Sequence, residues 1–459
     1  MLNAIITANI NLNFVNTEVI FNKYKGSKMK KVLIVTGTVF VALIAPKIIG
    51  TIVKNKYENI ANRFVDHPSL EITERSFTTD WFSGQSVTKM KFKEFSAEID
   101  GFEVIISEEF AFGPLIFAGN DIHFALSHSN IDVDFEVLGV NEQEQENINA
   151  FITQLNDKLF VSSTISYGLN YKTAIKMDAT SFEEDGEQIN VGAMDSEFTV
   201  TDEKYIDGYL NWTGLDFKGP EAHVQVSAVA VTFNQEMING DIYSANALAL
   251  GDFSSLIKNI TAQDANGDEL LNIENLVVSG SSKLKEELMK VTLHYGIEHF
   301  EGSGQILDKL NLDVSFDKLN PDVLLELNEL AAKMQQEPEN SELISQQIMS
   351  TAAQLLATNP EIKINDLSAM TPDGEIKSDL QLIIDHTLYN QANPMSVIAA
   401  LKAKSKGVAP LAFFQKLGMD DVVNMYLGQG FIEKKADELS FSATFEQGQL
   451  MLNGQMIAL

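Results

Sequence analysis

Runs in which apolar and polar residues alternate one for one constrain this chain more than any other feature, because a period of two marks strands with one buried face. Ile131, Val133, Phe135 and Val137 interleave with Asp132, Asp134 and Glu136, and Leu310, Leu312, Val314 and Phe316 interleave with Lys309, Asn311, Asp313 and Ser315. Similar runs recur over 69–110, 159–233, 238–278 and 289–316, many of them longer than the five or six residues usual for a strand. Asp100-Gly101, Asn266-Gly267, Asp373-Gly374 and Gln447-Gly448 fall between apolar runs, where residues that tolerate positive φ let a hairpin reverse. The expected fold class is α+β: a large, mostly antiparallel, long-stranded sheet with a helical layer from the C-terminal third, preceded by one transmembrane helix.

The transmembrane expectation rests on 30–53. From Val32 to Pro46 there is no charge: Val32, Leu33, Ile34, Val35, Val39, Phe40, Val41, Leu43 and Ile44 supply an apolar stretch. The pattern resumes after Lys47 through Ile48, Ile49, Ile52 and Val53, reaching about the twenty residues a bilayer core requires, and Lys47 can snorkel to the headgroups. A cleaved signal peptide is the competing reading, and a buried core helix a third. The flanks favour an uncleaved anchor, since Leu43 stands where a cleavage site wants a small residue and Pro46 would follow the cut. Lys23, Lys25, Lys28, Lys30 and Lys31 precede the segment, whereas Lys47, Lys54 and Lys56 are the only bases in or just after it. The positive-inside bias then leaves the N-terminus in the cytoplasm and the bulk of the chain outside. Met29 begins MKKVLIV, a start typical of bacterial exported proteins, so 1–28 reads as either a mis-assigned leader or a short cytoplasmic tail. The expected organisation is 1–28 leader or tail, 29–56 anchor, 57–318 a β-rich periplasmic region, and 319–459 an α+β region continuous with the same sheet.

Charge narrows the partners. The formal net charge is −31, and 1–56 hold eight lysines against the single acid Glu18, so the remainder is more anionic still. Such a surface is repelled by nucleic-acid phosphates and anionic headgroups, and suits solvation or a basic protein partner. Arg63 and Arg75 are the only arginines, so the planar forks that bind phosphate or carboxylate are nearly absent. There is no cysteine, so no disulfide is available and stability must come from a core.

Helical signals cluster late. Asn320-Pro321 pairs a capping residue with proline at the first helical position, and Val323, Leu327, Leu330 and Met334 mark one face. A second helix from about Ser341 carries Ile344, Ile348, Ala352 and Leu355, making a helical hairpin. Asn393-Pro394 predicts a third helix ending near Gly407, with further helical pieces over 411–417 and 420–427. Their polar faces are not basic, which favours sheet cover over membrane docking.

Three segments carry a resemblance. RSFTTDWFSGQSVTKMKF, Arg75 to Phe92, resembles a Tyr/Phe-x-x-Gly-Trp-Phe-Ser signature with Asp80 at the glycine position. PEIKINDLSAMTPDGEIKSDLQL, Pro360 to Leu382, resembles a strand, Thr-Pro-x-Gly turn and strand, and FEQGQLMLNGQMIAL resembles a closing Gly-x-Leu-x-x-Asn-Gly hairpin. Together they resemble the YdgA-like family of bacterial envelope proteins, whose domain has no known function. The resemblance runs from the anchor to Leu459 and implies a single-pass protein of the bacterial inner membrane with its bulk in the periplasm. It supplies no catalytic residues, and Phe112-Gly113-Pro114 has phenylalanine where the family has histidine.

Chemistry is sparse. Ser282-Lys283-Leu284-Lys285 matches S-x-x-K without its companion motifs. Asp264, Asn266 and Asp268 have the spacing that opens a calcium loop, but Glu269 replaces the required glycine and Asn275 stands at position twelve, so a hairpin turn accounts for them. His294 and His299 lack zinc-pair spacing. The chain is therefore expected to be non-enzymatic, with no cofactor and no metal. Trp81 and Phe82 read as an aromatic plug at one end of the sheet or as an exposed binding spot. Val224, Val226, Ala228 and Ala230 share one side of a strand, either as core or as an apolar groove for a lipid or lipoprotein acyl chain. Two functions follow as expectations: lipid or hydrophobic-ligand handling in the envelope, or a structural and interaction module for envelope assembly or motility that meets a basic envelope protein. Homo-oligomerisation is compatible with both.

Overall fold

The computed structural model describes residues 27–63, 70–92, 101–118, 121–138, 142–184, 186–243, 247–390 and 393–457, with side chains in the first stretch from Ile44 onward. Helix α1 (Ser27–Arg63) contains Pro46 and leads into a sheet that is antiparallel throughout. Its strands begin with β1 (Leu70–Thr79), β2 (Ser83–Phe92) and β3 (Gly101–Phe112). The small hairpin β4 (Ile116–Ala118) and β5 (Asp121–His123) interrupts before β6 (Ser127–Leu138). Helix α2 (Glu142–Asn156) then precedes β7 (Leu159–Ile165) and β8 (Tyr171–Met177). The excursion β9 (Thr180–Glu184) and β10 (Glu187–Val191) separates β8 from its neighbour β11 (Met194–Thr201).

The middle is a meander of long strands: β12 (Tyr205–Lys218), β13 (Ala222–Asn239), β14 (Leu248–Asp264), β15 (Glu269–Lys285), β16 (Leu288–Gly302) and β17 (Gln305–Leu319). The hairpin α3 (Pro321–Gln336) and α4 (Ser341–Leu355) follows, then β18 (Glu361–Thr371) and β19 (Gly374–Ile384). The chain closes with α5 (Val397–Ala400), β20 (Leu401–Pro410), α6 (Leu411–Lys416), α7 (Asp420–Gly428), β21 (Glu433–Lys435), β22 (Glu438–Glu446), β23 (Gln449–Leu452) and β24 (Gln455–Ile457). Each strand of the meander pairs with the next in sequence, apart from the steps β3–β6, β8–β11 and β20–β22. Of the 24 strands among the described residues, 22 join one sheet.

A sheet so far beyond the usual ten or so strands must twist and curl, and backbone kinks accompany this. Gly214 (φ 116°) on β12, Ala228 (φ 47°) on β13, Asn275 (φ 51°) on β15 and Lys309 (φ 51°) on β17 interrupt four of the six long strands near the same register. Gly214 is required on two counts: its φ is positive, and a Cβ there would sit 1.9 Å from the Val226 carbonyl oxygen.

The expected large antiparallel sheet and late helical hairpin are both present. Asn320 caps α3 by accepting from the backbone N–H groups of Asp322 and Val323, and Val323, Leu330 and Ile344 are buried. Two expectations need correction. The third helix is a single turn, α5, and residues 401–410 form β20, because Leu401, Ala403, Ser405, Gly407 and Ala409 alternate with lysines and pair with β19 on one side and β22 on the other. Helix α2, with Phe151 packed 4.4 Å from Phe182, was not anticipated. Two expected turns behave as read, with positive φ at both Gln447 and Gly448 and Thr371 paired with Gly374 across the Thr-Pro-Asp-Gly turn; Asn453-Gly454 also has positive φ at each residue, while Asp100 of the expected Asp100-Gly101 turn lies outside the described residues.

Among the described residues no helix is long and apolar enough to cross a membrane. The side chains of Val32, Leu33, Ile34, Val35, Val39, Phe40, Val41 and Leu43 lie outside those described, and Ile44 is half-buried. Ile49 and Val53, counted toward the span in the sequence, are instead core residues at 6% and 2% exposure. They pack with Phe77, Phe110, Phe112, Leu126 and Ile165. Each such side chain contributes on the order of 1.5–3 kcal/mol through burial, so the second half of α1 belongs to the β structure.

Candidate functional site

Helix α1 packs against β1, β2, β3 and β6, and a groove of about 430 Å³ remains between it and the sheet. Alternation aims every second side chain inward. From β3 come Ile106, Glu108 and Phe110, from β6 Ser129 and Ile131, from β7 Ser163 and Ile165, from β8 Tyr171 and Thr173, and from β11 Phe198 and Val200. Val53, Tyr57 and Ile60 of α1 form the roof. The close seat of α1 depends on Gly50, where a Cβ would lie 2.7 Å from the Phe112 ring.

Polar groups hold the helix ends of this roof. The Tyr57 hydroxyl bonds Thr88 of β2. Lys56 and Arg63 both pair with Glu203, Arg63 Nη2 lying 3.0 Å from its carboxylate, and Arg63 also pairs with Asp241. The Arg63 guanidinium stacks 5.4 Å from the Tyr243 ring centre. These contacts clamp α1 to the β11–β12 turn and to the segment after β13, holding a defined gap above the strands.

The floor carries a short row of polar atoms within an otherwise apolar lining. Glu108 of β3, Ser129 of β6, Ser163 of β7 and Thr173 of β8 belong to it, and the register neighbours of Glu108 are Ser86 on β2, outside the lining, and Ile131 on β6. Burial alone pushes the Glu108 carboxyl up to about 7, so near neutral pH it is substantially protonated and serves as hydrogen-bond donor as well as acceptor. Burial, reinforced by Tyr243 and Glu108, raises the Tyr171 hydroxyl as well. Neither Ser86 Oγ nor Tyr171 Oη has a hydrogen-bond partner among the described residues. Thr173 donates to Ser163 Oγ at 3.3 Å. Unpartnered buried polar atoms are costly, and Tyr171, with Glu108 beside it in the lining, places such an atom in a largely apolar cleft, as binding pockets do.

The residues singled out in the sequence lie elsewhere. Val224, Val226 and Ala230 are half-buried and Ala228 is exposed, with the Ala228 kink interrupting their alternation. Val226 borders one shallow depression with Asn190 and Asp216, while Ala228 and Ala230 border another with Trp212 and Leu256, so the four do not form one apolar face. Trp81 and Phe82 are about half exposed, at 49% and 51%, which overturns the plug reading. A second apolar cavity of about 310 Å³ lies between α6–α7 and strands β19, β20 and β22, lined by Val408, Phe414, Val423 and Phe441.

Motifs considered for chemistry resolve into structure. Ser282 donates to the Ala249 carbonyl at 3.1 Å. Asp264 accepts the N–H groups of Asn266 and Asp268, capping the β14–β15 turn. His294 and His299 make separate cross-strand bonds to Asp313 and Asp308, each at 2.6 Å. Among the described residues no group of three or more metal-ligating side chains is gathered.

Sequence reasoning missed the groove because its lining comes from ten segments of the chain. The one available signal was Glu108, a carboxylate at an inward position between Ile106 and Phe110. No curated protein and no solved structure matches the chain. A family described as "Bacterial protein of unknown function (DUF945)" matches residues 29–459. The match spans the sheet, the groove and α1 almost from its first residue, and the chain belongs to this bacterial family.

Proposed function

We propose that this is a single-pass inner-membrane protein with its bulk in the periplasm, and that it holds an acyl chain or similar hydrophobic ligand, without catalysis, in the groove beneath α1. The groove carries the reading: its volume falls within the roughly 300–1,000 Å³ of small-molecule sites, its lining is largely apolar, and the unpartnered Tyr171 hydroxyl and the Glu108 carboxyl suit the ester, hydroxyl or carboxyl end of a lipid. The late helices cover other parts of the sheet, with α3 against β14 and α6 against β20, and among the described residues α1 is the one helix that lines the groove. The YdgA-like resemblance and the charge-free stretch from Val32 to Pro46 support the envelope placement. Because Ile49 and Val53 are core, the bilayer segment shortens to 32–48, about 25 Å of helix and near the lower limit for a span.

Native mass spectrometry of the full chain extracted in mild detergent tests this. The expected result is a bound lipid mass that is released on unfolding and lost in Ile131→Trp, which fills the groove. Should Ile131→Trp fail to fold, Ser129→Phe on an adjacent inward position is the alternative block. A folded wild-type chain that never carries lipid would overturn the reading in favour of an interaction module that meets a basic envelope protein through its anionic surface.

A further inference from the structure

We infer that the end of the sheet from which α1 emerges is a bilayer-docking surface, whose large apolar side chains enter the headgroup–acyl boundary. Six of them crowd this end in the open: Phe124 at 76% exposure, Phe117 at 70%, Ile48 and Ile122 at 57%, Phe82 at 51% and Trp81 at 49%. Isolated exposed apolar residues need no explanation, but a contiguous group marks an interaction site.

Their contiguity follows from hydrogen bonds. Phe112 N–H donates to Phe82 O at 2.8 Å, Gly113 N–H to Leu126 O at 2.7 Å and Leu126 N–H to Ile165 O at 2.9 Å, bringing the β1–β2 turn, the β4–β5 hairpin and the end of β7 to one edge. Tyr167 Oη donates to Pro114 O at 2.7 Å, bracing the base of the hairpin. Lys47 Nζ reaches Asp80 O at 3.5 Å, so the point where α1 leaves the sheet is the same edge.

The occupant follows from what lies beyond that point. Helix α1 continues without a break to Ser27, through the charge-free stretch Val32–Pro46. A continuous helix is a stiff connection, so if that stretch is in lipid, this edge sits within about a turn of the bilayer surface. Aromatic rings are favoured at that depth. The acidic chain has little attraction for anionic headgroups, so insertion depends on apolar burial and not on charge. The inference rests on the anchor part of the proposed function and is independent of the groove.

The chain has two tryptophans, which provide the test. Trp81 is in the docking edge, whereas Trp212 lies roughly 20 Å further along β12 from the row of Val200 and Ile206. Full-length protein carrying Trp212→Phe or Trp81→Phe is reconstituted into zwitterionic phosphatidylcholine vesicles with or without brominated acyl chains, after flotation shows that it is in the vesicles. The expected result is about twofold quenching of Trp81 emission at interfacial depth, with Trp212 unchanged. Phe117→Trp in a Trp81→Phe, Trp212→Phe background should quench likewise, and the quenching should persist in high salt. Protein that floats while Trp81 and a tryptophan at position 117 behave as Trp212 does overturns the docking surface. Emission that shifts with protein-to-lipid ratio but is never quenched overturns it also, assigning the patch to a second copy of the chain. Failure to float removes the anchor itself.

Discussion

Glu108 is where single-residue chemistry departs furthest from what its type suggests. A glutamate on an alternating strand is ordinarily solvated, yet inward register places this one in an apolar groove, where burial raises its carboxyl from 4.5 to about 7. Between those values the folded chain keeps the proton and the unfolded chain loses it, so stability falls as pH rises from about 4.5 to 7. The effect is worth at most about 3 kcal/mol over that interval. Glu108→Gln is expected to flatten this part of the pH–stability curve and to be the more stable form at pH 7.5, as read by urea midpoints across the range. An unchanged slope would mean that the carboxyl is better solvated than its position implies.

Among the elements, α1 has two roles that its sequence does not separate. From Val32 to Pro46 it carries no charge, while beyond Lys47 core residues such as Ile49 and Val53 are mixed with bases that hold it to Glu203 and Asp241. Its seat on Phe112 depends on the missing side chain of Gly50. Gly50→Val is expected to lift the helix and to lower stability by roughly 1–3 kcal/mol through overpacking, measured as a fall in the thermal midpoint together with greater hydrogen exchange along β3. If the midpoint holds, α1 is only loosely apposed to the sheet, and the groove beneath it loses its roof. The strand β20 offers the opposite lesson: its Asn-Pro start reads as a helix, but two flanking strands supply hydrogen bonds to the whole segment, and the helix stops after α5.

For the whole molecule, the long meander and its acidity set the boundary conditions. Pairing each strand mostly with its sequence neighbour allows a very large sheet to form from local hairpins, and the kinks at Gly214, Ala228, Asn275 and Lys309 accompany its bending. For the proposed anchor, the lysines grouped before Val32 predict a C-terminus outside the cytoplasm. A phosphatase fused after Leu459 is expected to be active and a cytoplasm-dependent reporter at the same place silent. The reverse pattern would remove the periplasmic placement.

The amino-acid sequence by itself determined the strand-rich antiparallel character, the hairpin turns at Asn-Gly and Thr-Pro-Asp-Gly, the α3–α4 hairpin and the strong negative charge. Each of these is written in neighbouring residues: alternation, caps and tolerance of positive φ act over a few positions. Only the tertiary structure decided that Val224, Val226, Ala228 and Ala230 do not make a common face, that Trp81 and Phe82 stand exposed, and that a groove forms under α1. Those outcomes depend on which strands pair and how far the sheet curls. The residues that meet around Glu108 run from Val53 to Tyr243 in the chain, and hydrogen-bonded register between distant strands, unlike local periodicity, leaves no short-range mark in the sequence.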